Sequence, residues 1–319
     1  MAAFRNPWVA FLLRRLLALV LILLGLVVVV FFMLRLVPGD PAVSLGGASA
    51  TPEDVAVIRH DLGLDLPVQE QFVAYVRNLS HGDLGKSYFF SNSVATIIGE
   101  RIGRSAQLAA VALVIVLLVS IPGGMLAGTA TRDGRHRFGE VAFTGMTSVI
   151  GSLPEFLMAT FLALVFAVWL RWLPVAGGAG VLSLVLPAAA VCLRPIAILT
   201  RIVRVETLNV LAMDYMRTAR GKRLPPRLLY FRHALPHVVT AALTVGGLLF
   251  AGLIGGAVVV ENVFARAGLG TALVSAVLAH DYPVVQGITL VLGIVVVLVT
   301  TTVDILVALI DPRAVTGKA

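Results

Sequence analysis

The chain has 319 residues, is 59% hydrophobic and only 13% charged, and has a mean hydropathy of +0.97. That balance excludes an ordinary soluble domain and describes a polytopic membrane protein. The formal net charge of +8 calls for no nucleic acid, since no aromatic-interleaved basic groove or nucleic-acid module accompanies it, and the single Cys192 excludes internal disulfides and cysteine-rich metal sites.

Six spanning helices are predicted, each from an apolar run long enough to cross about 30 Å of hydrocarbon. The first run, 16–34, follows Arg14 and Arg15. Its apolar core exceeds the roughly 7–15 residues of a signal peptide and no small-residue cleavage site follows, so it reads as an uncleaved first helix. Residues 38–104 form an outer region too long and too patterned for a simple connector. Thr51-Pro-Glu-Asp54 offers a capping side chain, a first-turn proline and acids at the positive end of a helix dipole. Val68, Phe72, Tyr75, Val76 and Leu79 recur at helical spacing and predict a second, amphipathic helix. Gly85-Lys86-Ser87 imitates the end of a phosphate-binding loop, but Ser80 stands where that loop needs glycine, so no nucleotide site is assigned.

The second span, 105–131, carries Gly123, Gly124 and Gly128 at spacings that permit close helix approach, and Pro122 should kink it. The third, 141–170, is broken only by Glu155. Its Ser152-Leu-Pro-Glu-Phe156 places a kink and a carboxylate near the membrane centre, where neighbouring helices or water must satisfy the freed backbone groups. The fourth apolar run is 172–193, and after Trp172-Leu-Pro174 and the glycines at 177, 178 and 180 the fourth span is expected to descend from Val181. The fifth, 238–260, is rich in glycine at 246, 247, 252, 255 and 256, which suits tight packing, and the sixth is 282–303.

Between the fourth and fifth spans lies the most polar stretch of the core. Leu208, Leu211, Ala212, Tyr215, Met216 and Ala219 recur at helical spacing and predict a short helix with one apolar stripe and a basic opposite face. Gly221 breaks the pattern, and Pro225-Pro226 can open a second helix. The positive-inside rule accounts for the charge of this helix-turn-helix but not for its stripe. Arginines and lysines at 5, 14, 15, 132, 135, 137, 201–232, 313 and 318, against only Arg171 and Arg266 in the short outer loops, place both termini and this turn in the cytoplasm.

Three ionisable residues fall at membrane depth: Glu155 near the centre, Arg194 in the inner half of the fourth helix, and Asp304 near the cytoplasmic end of the sixth. A central charge costs about 2.5–3.5 kcal/mol on insertion scales, so each should face protein or water. All three are candidates for a solute pathway, with Glu155 and Arg194 expected to interact. Snorkelling of Arg194 and headgroup water around Asp304 are the plainer readings.

Several motifs in order carry a family resemblance. They include the opening at 14–42, Leu62-Gly-Leu-Asp65, Gly82-Asp-Leu-Gly85, Ser152-Leu-Pro-Glu-Phe156, Asp214-Tyr-Met-Arg-Thr-Ala-Arg-Gly-Lys-Arg-Leu224, Arg232-His-Ala-Leu235 and Gly256 to Phe264. Gly268-Leu-Gly270, His280-Asp-Tyr-Pro283 and Asp311-Pro-Arg313 follow. The chain resembles the permease subunits of bacterial ABC importers for dipeptides, oligopeptides and nickel. The resemblance implies an all-α integral membrane protein of the type I importer permease fold, with a helical extracytoplasmic insertion between its first two spanning helices. The parts are then a tail and first helix at 1–37, the outer region at 38–104, a five-helix core at 105–310 with a cytoplasmic coupling loop at 201–237, and a tail at 311–319.

It also implies that Asp214, Tyr215, Arg217, Thr218, Ala219, Arg220, Gly221 and Lys222 couple the chain to an ATPase. The partners would be a homologous second permease, two cytoplasmic ATPase subunits, an extracytoplasmic solute-binding protein and membrane lipid, in the bacterial cytoplasmic membrane. No cofactor or catalysis is expected of this chain, ATP and magnesium belonging to the partner subunits, and transport is expected to proceed by alternating access. The solute would be a di- or oligopeptide, or alternatively a nickel complex or glutathione. Two departures stand out: Ala267 replaces a usual proline, and Gly221-Lys222-Arg223 replaces Ala-Lys-Gly. Either Arg223 takes up the glycine's left-handed conformation or the turn is rebuilt around Gly221. An ion-coupled secondary transporter is the reading of a different class; the absence of evident inverted repeats and the coupling loop argue against it. A scaffold without transport would leave the intramembrane charges unexplained.

Overall fold

Proline and glycine decide where the apolar rods of this chain begin and end. The computed structural model describes residues 7–33, 35, 39–47, 49–89, 92–132, 137–174 and 180–310. Among these every regular element is helical, apart from an isolated bridge between Lys86 and Ser93. The expected 311–319 tail, with the whole of its Asp311-Pro-Arg313 motif, lies outside the described residues.

Helix α1 (Pro7–Met33) is apolar on almost every side and largely exposed, as lipid contact requires. A cap of three short helices follows: α2 (Pro41–Gly46), α3 (Pro52–Asp61) and α4 (Val68–Ser80). Thr51 and Asp54 form the reciprocal capping box their spacing suggests, each side chain accepting the other's backbone N–H. Two anchors hold the cap. The Arg35 guanidinium lies 3.8 Å from the Phe31 ring centroid and donates to Gln71 of α4 at 2.5 Å, while Phe72 packs edge-on against Phe31. At the other anchor Ser87 donates to the buried carboxylate of Asp281 at 2.5 Å, and the Tyr88 N–H adds a second bond at 3.2 Å. Ser87 thus closes a structural clasp, and burial beside Asp281 pushes the Tyr88 phenol up to about 12.

Helix α5 (Val94–Thr131) starts at Ser93, which caps the Thr96 N–H, so the second spanning helix begins well before the apolar run expected at 105. The third span is a break rather than a kink. Helix α6 (Arg137–Ser152) and helix α7 (Glu155–Leu162), prolonged by a π turn at Ala163–Trp169, meet at 99°. Pro154 has no N–H and forces Leu153 out of the helical region, which ends α6. Helix α8 (Leu182–Ala212) starts within one residue of where the fourth span was expected to begin, and runs past Pro187 and Pro195 to 212. Arg194 is therefore not in the inner half of its span. It lies roughly 18 Å from the start of α8, before the midpoint of that helix.

Met213 is extended and separates α8 from α9 (Asp214–Gly221), which splits the stripe expected over 208–219. Then α10 (Pro226–Leu228), a π turn at Leu229–Ala234 and α11 (Leu235–Val263) form one apolar rod. The expected loop at 201–237 thus narrows to 213–225. Pro236 explains the wide turn, since it cannot donate to the carbonyl four residues back. A short helix, α12 (Leu269–Leu278), leads into α13 (Tyr282–Ile310). Among the described residues five helices are long and apolar enough to span a membrane, and the bent α6–α7 pair, taken as one span, makes a sixth.

The α5–α8 pair is the most extensive helix contact. It closes on Gly124 and Gly128, which face Thr200, Val203, Arg204 and Thr207. A Cβ on Gly124 would meet the Thr200 carbonyl oxygen at 2.7 Å, and backbone cannot swing away. Gly124→Ala should cost about 1–3 kcal/mol by overpacking, read as a lower thermal midpoint in detergent, while Gly103→Ala, which meets nothing within 4 Å, should leave it unchanged.

Candidate functional site

Two sites combine polar chemistry with an apolar frame, and they stand on the same helix, α8. The first is the turn at its C-terminal end. Helix α9 turns Met216 and Ala219 inward, both buried, and leaves Asp214, Tyr215, Arg217, Thr218, Gly221 and Lys222 exposed. Ala219, expected on a docking face, instead packs within the chain: its small side chain is what lets α9 lie against the rods. The side chain of Arg220 reaches back to donate to the Leu211 carbonyl, one of the orphan acceptors at the end of α8. From the other end Tyr215 donates to the His233 carbonyl at 3.4 Å, inside the π turn, and partial burial raises its phenol's pKa, so the donor stays protonated. The turn is therefore tied to both α8 and the rod leading to α11. Arg217 and Asp214 are 3.7 Å apart and highly exposed, a pair that contributes little.

Arg223 settles the departure noted above. Its φ is +54°, while Gly221 lies outside the left-handed region, so the arginine takes the strained position.

The second site is the break in the third span. Glu155 is the first residue of α7, where the positive helix end favours a carboxylate. Gly256 of α11 lies so close that a Cβ there would overlap the carboxylate. The Arg194 guanidinium of α8 stands 3.5 Å from Glu155. The expected pair is thus brought together, and Asp304 is not part of it: its carboxylate meets Arg15 of the peripheral α1 at 2.7 Å.

One charge in the apolar frame was quoted in a motif but given no role. Glu261, 1% exposed, accepts from Ser105 of α5 at 2.6 Å and from the Gly270 N–H of α12 at 2.7 Å. Ser105 in turn accepts from the Leu269 N–H at 2.8 Å. Gly268 and Gly270 are glycines because a Cβ at either would strike this carboxylate. The signal was available: a lone acid ending an apolar run, followed by two glycines that leave it room. It knots α5, α11 and α12 together.

Against this geometry the comparisons are decisive. The profile of the binding-protein-dependent transport system inner membrane component family matches residues 120–316, and that of the N-terminal part of the membrane component matches 8–111. The chain belongs to that family. The permease is 38% identical over 312 residues to a Brucella suis (biovar 1, strain 1330) protein named as a peptide transport system permease, across 95% of this chain and 98% of the relative. It is 34% identical over 306 residues to the oligopeptide transport system permease protein OppB of Salmonella typhimurium, across 95% and 98%. The dipeptide transport system permease protein DppB of Lactococcus lactis subsp. cremoris is 32% identical over 307 residues, across 96% and 99%. The permease is a multi-pass inner-membrane protein of the type I ABC importer fold, with the α2–α4 insertion between its first two spans.

Two outcomes follow from the geometry. Arg223→Gly should stabilise the turn by about 1 kcal/mol, seen as severalfold slower hydrogen exchange at amides 218–224. In a double-mutant cycle, Glu155→Gln and Arg194→Met should each lower transport-coupled ATP turnover, and the double mutant should be no worse than Arg194→Met alone, a coupling of about 1 kcal/mol or more. Additive losses would dissolve the pair.

Proposed function

We propose that this permease imports di- or oligopeptides as one of two homologous membrane subunits, driven by two cytoplasmic ATPase subunits and fed by an extracytoplasmic binding protein. The observation that carries the coupling role is the α9 turn, whose exposed basic face is tied at one end to α8 and at the other to α11. A push on that face reaches both rods without intervening slack. The names of the relatives support the peptide cargo. The chain performs no bond chemistry in this reading, and ATP and magnesium sit on the partner subunits.

Both termini and α9 face the cytoplasm, in keeping with the arginines and lysines around that end. The α2–α4 cap lies on the opposite side, where the binding protein delivers solute. Glu155 and Arg194 line the pathway, α7 and α8 providing its polar station at mid-membrane. ATP binding opens that station outward and hydrolysis returns it inward. The reading is tested by vanadate-sensitive, ATP-driven peptide uptake into vesicles holding the complete transporter; an ion gradient that drives uptake without ATP would replace it with a secondary transporter.

The coupling role makes its own prediction. Arg217→Glu, on the exposed face, should lower binding-protein-stimulated ATP hydrolysis about tenfold with an unchanged thermal midpoint, since a reversed rim charge alters docking and not folding. Ala219→Glu should lower both, because it drives bulk and charge into the packed joint.

A further inference from the structure

The charged pair at mid-membrane is asymmetric. Glu155 is 17% exposed and held by its helix end and by Gly256, whereas Arg194 is 48% exposed. A guanidinium carries five N–H donors in a planar fork, and a single contact at 3.5 Å occupies one side of it. On the same face of α8 stands Arg201. Positions 194, 198, 201 and 205 follow one another at i, i+4, i+7 and i+11, so they share a stripe, with the two arginines about 10 Å apart along the axis. Arg201 donates to Ser148 of α6 at 3.1 Å, on the other side of the break from Glu155, and pairs with no carboxylate among the described residues. Ile198 is partly exposed and Val205 is 52% exposed, while Leu199 and Val203 on the opposite face are buried.

The formal charge of this stripe is +1, from two arginines against one glutamate. The next charge along α8, Arg204, is neutralised by Glu140 at 2.6 Å. An open guanidinium at this depth is costly in lipid, so the face meets water or a ligand.

We propose that the Arg194–Arg201 stripe of α8 is a carboxylate track, on which the free C-terminal carboxylate of a peptide takes the open edge of Arg194 and is handed on to Arg201. Glu155 is the positioning residue that aims Arg194. A carboxylate matches the guanidinium fork in geometry and the stripe in charge. Two similar stations a short step apart also meet the transport requirement that a solute be held well enough to enter and weakly enough to leave. The proposal rests on the peptide-import reading.

The test uses Ile198→Cys, between the two arginines, in the complete transporter in membrane vesicles. Cys192, the only native cysteine, is buried and gives little background. The modification rate is measured with an anionic sulfonatoethyl and a cationic trimethylammonioethyl methanethiosulfonate. The anionic reagent should react about tenfold faster, as a local positive field concentrates anions. Arg201→Gln should bring the two rates close together, and a dipeptide supplied with binding protein and ATP should slow labelling severalfold. Val205→Cys serves as a second position where Ile198→Cys does not assemble. Equal rates for the two reagents in a transporter that imports peptide overturn the track alone. A cysteine that never reacts also overturns it, because the stripe is then covered and no solute can reach it. Failure of the unsubstituted transporter to import any peptide overturns the peptide reading and the track with it.

Discussion

In hydrocarbon every backbone N–H and C=O must find its partner within the protein, and the architecture of this permease follows from that demand. The rods at α1, α5, α8, α10–α11 and α13 meet it by unbroken helix. The one interior break, at 152–154, is imposed by Pro154 and is enclosed by α8 and α11. Polar groups gather there because the break must in any case be kept from lipid. Glu155 is thus less an intruder in an apolar span than the residue that begins the second half of it, on the favourable end of a helix dipole.

The other charges of the helix frame follow the same economy. Asp304 is matched by Arg15, Arg204 by Glu140, and Glu261 is met by one hydroxyl and one backbone amide. Each satisfied group joins helices distant in sequence: α1 to α13, α8 to α6, and α5 to α11 and α12. At Glu261, which is buried, removing a partner leaves a desolvated charge, which costs more than the contact contributes. These groups therefore act as fasteners of arrangement, while glycine-lined contact such as α5 on α8 supplies the close packing.

Much of this was legible in the residues. Apolar runs marked the spans, Thr51 and Asp54 marked the start of α3, and the spacing of Val68 to Leu79 marked α4, because these signals are local. The approach of Glu155 to Arg194 was foreseen from cost alone: two charges at one depth seek each other. What was not legible depended on tertiary contact or on proline in context. The start of α5 at Val94 was hidden by Glu100, Arg101 and Arg104, which a helix projecting beyond the apolar layer tolerates. The start of α8 at Leu182 was marked by Pro174 and the glycines before Val181, but its extension to Ala212, which puts Arg194 before the helix midpoint, was hidden by Arg201 and Arg204. The apolar stripe of α9 at Met216 and Ala219 was read, but not that it packs within the chain, because Ala219 is small enough to suit a docking face as well. The role of Glu261 required knowing that Gly268 and Gly270 fold back over it.

The π turn at Leu229–Ala234 has a geometric consequence for α9. A wide turn holds one residue more than the α-helical register, so the rod beyond it is rotated by about 100° relative to an uninterrupted helix. The side chains before Leu229 and those after Ala234 therefore belong to different meridians of the same rod. Tyr215 holds the carbonyl of His233, within the seam between them. Under the proposed coupling role, a force entering through α9 is applied where the rod changes phase, and its natural expression there is torsion about the axis of α11 rather than translation along it.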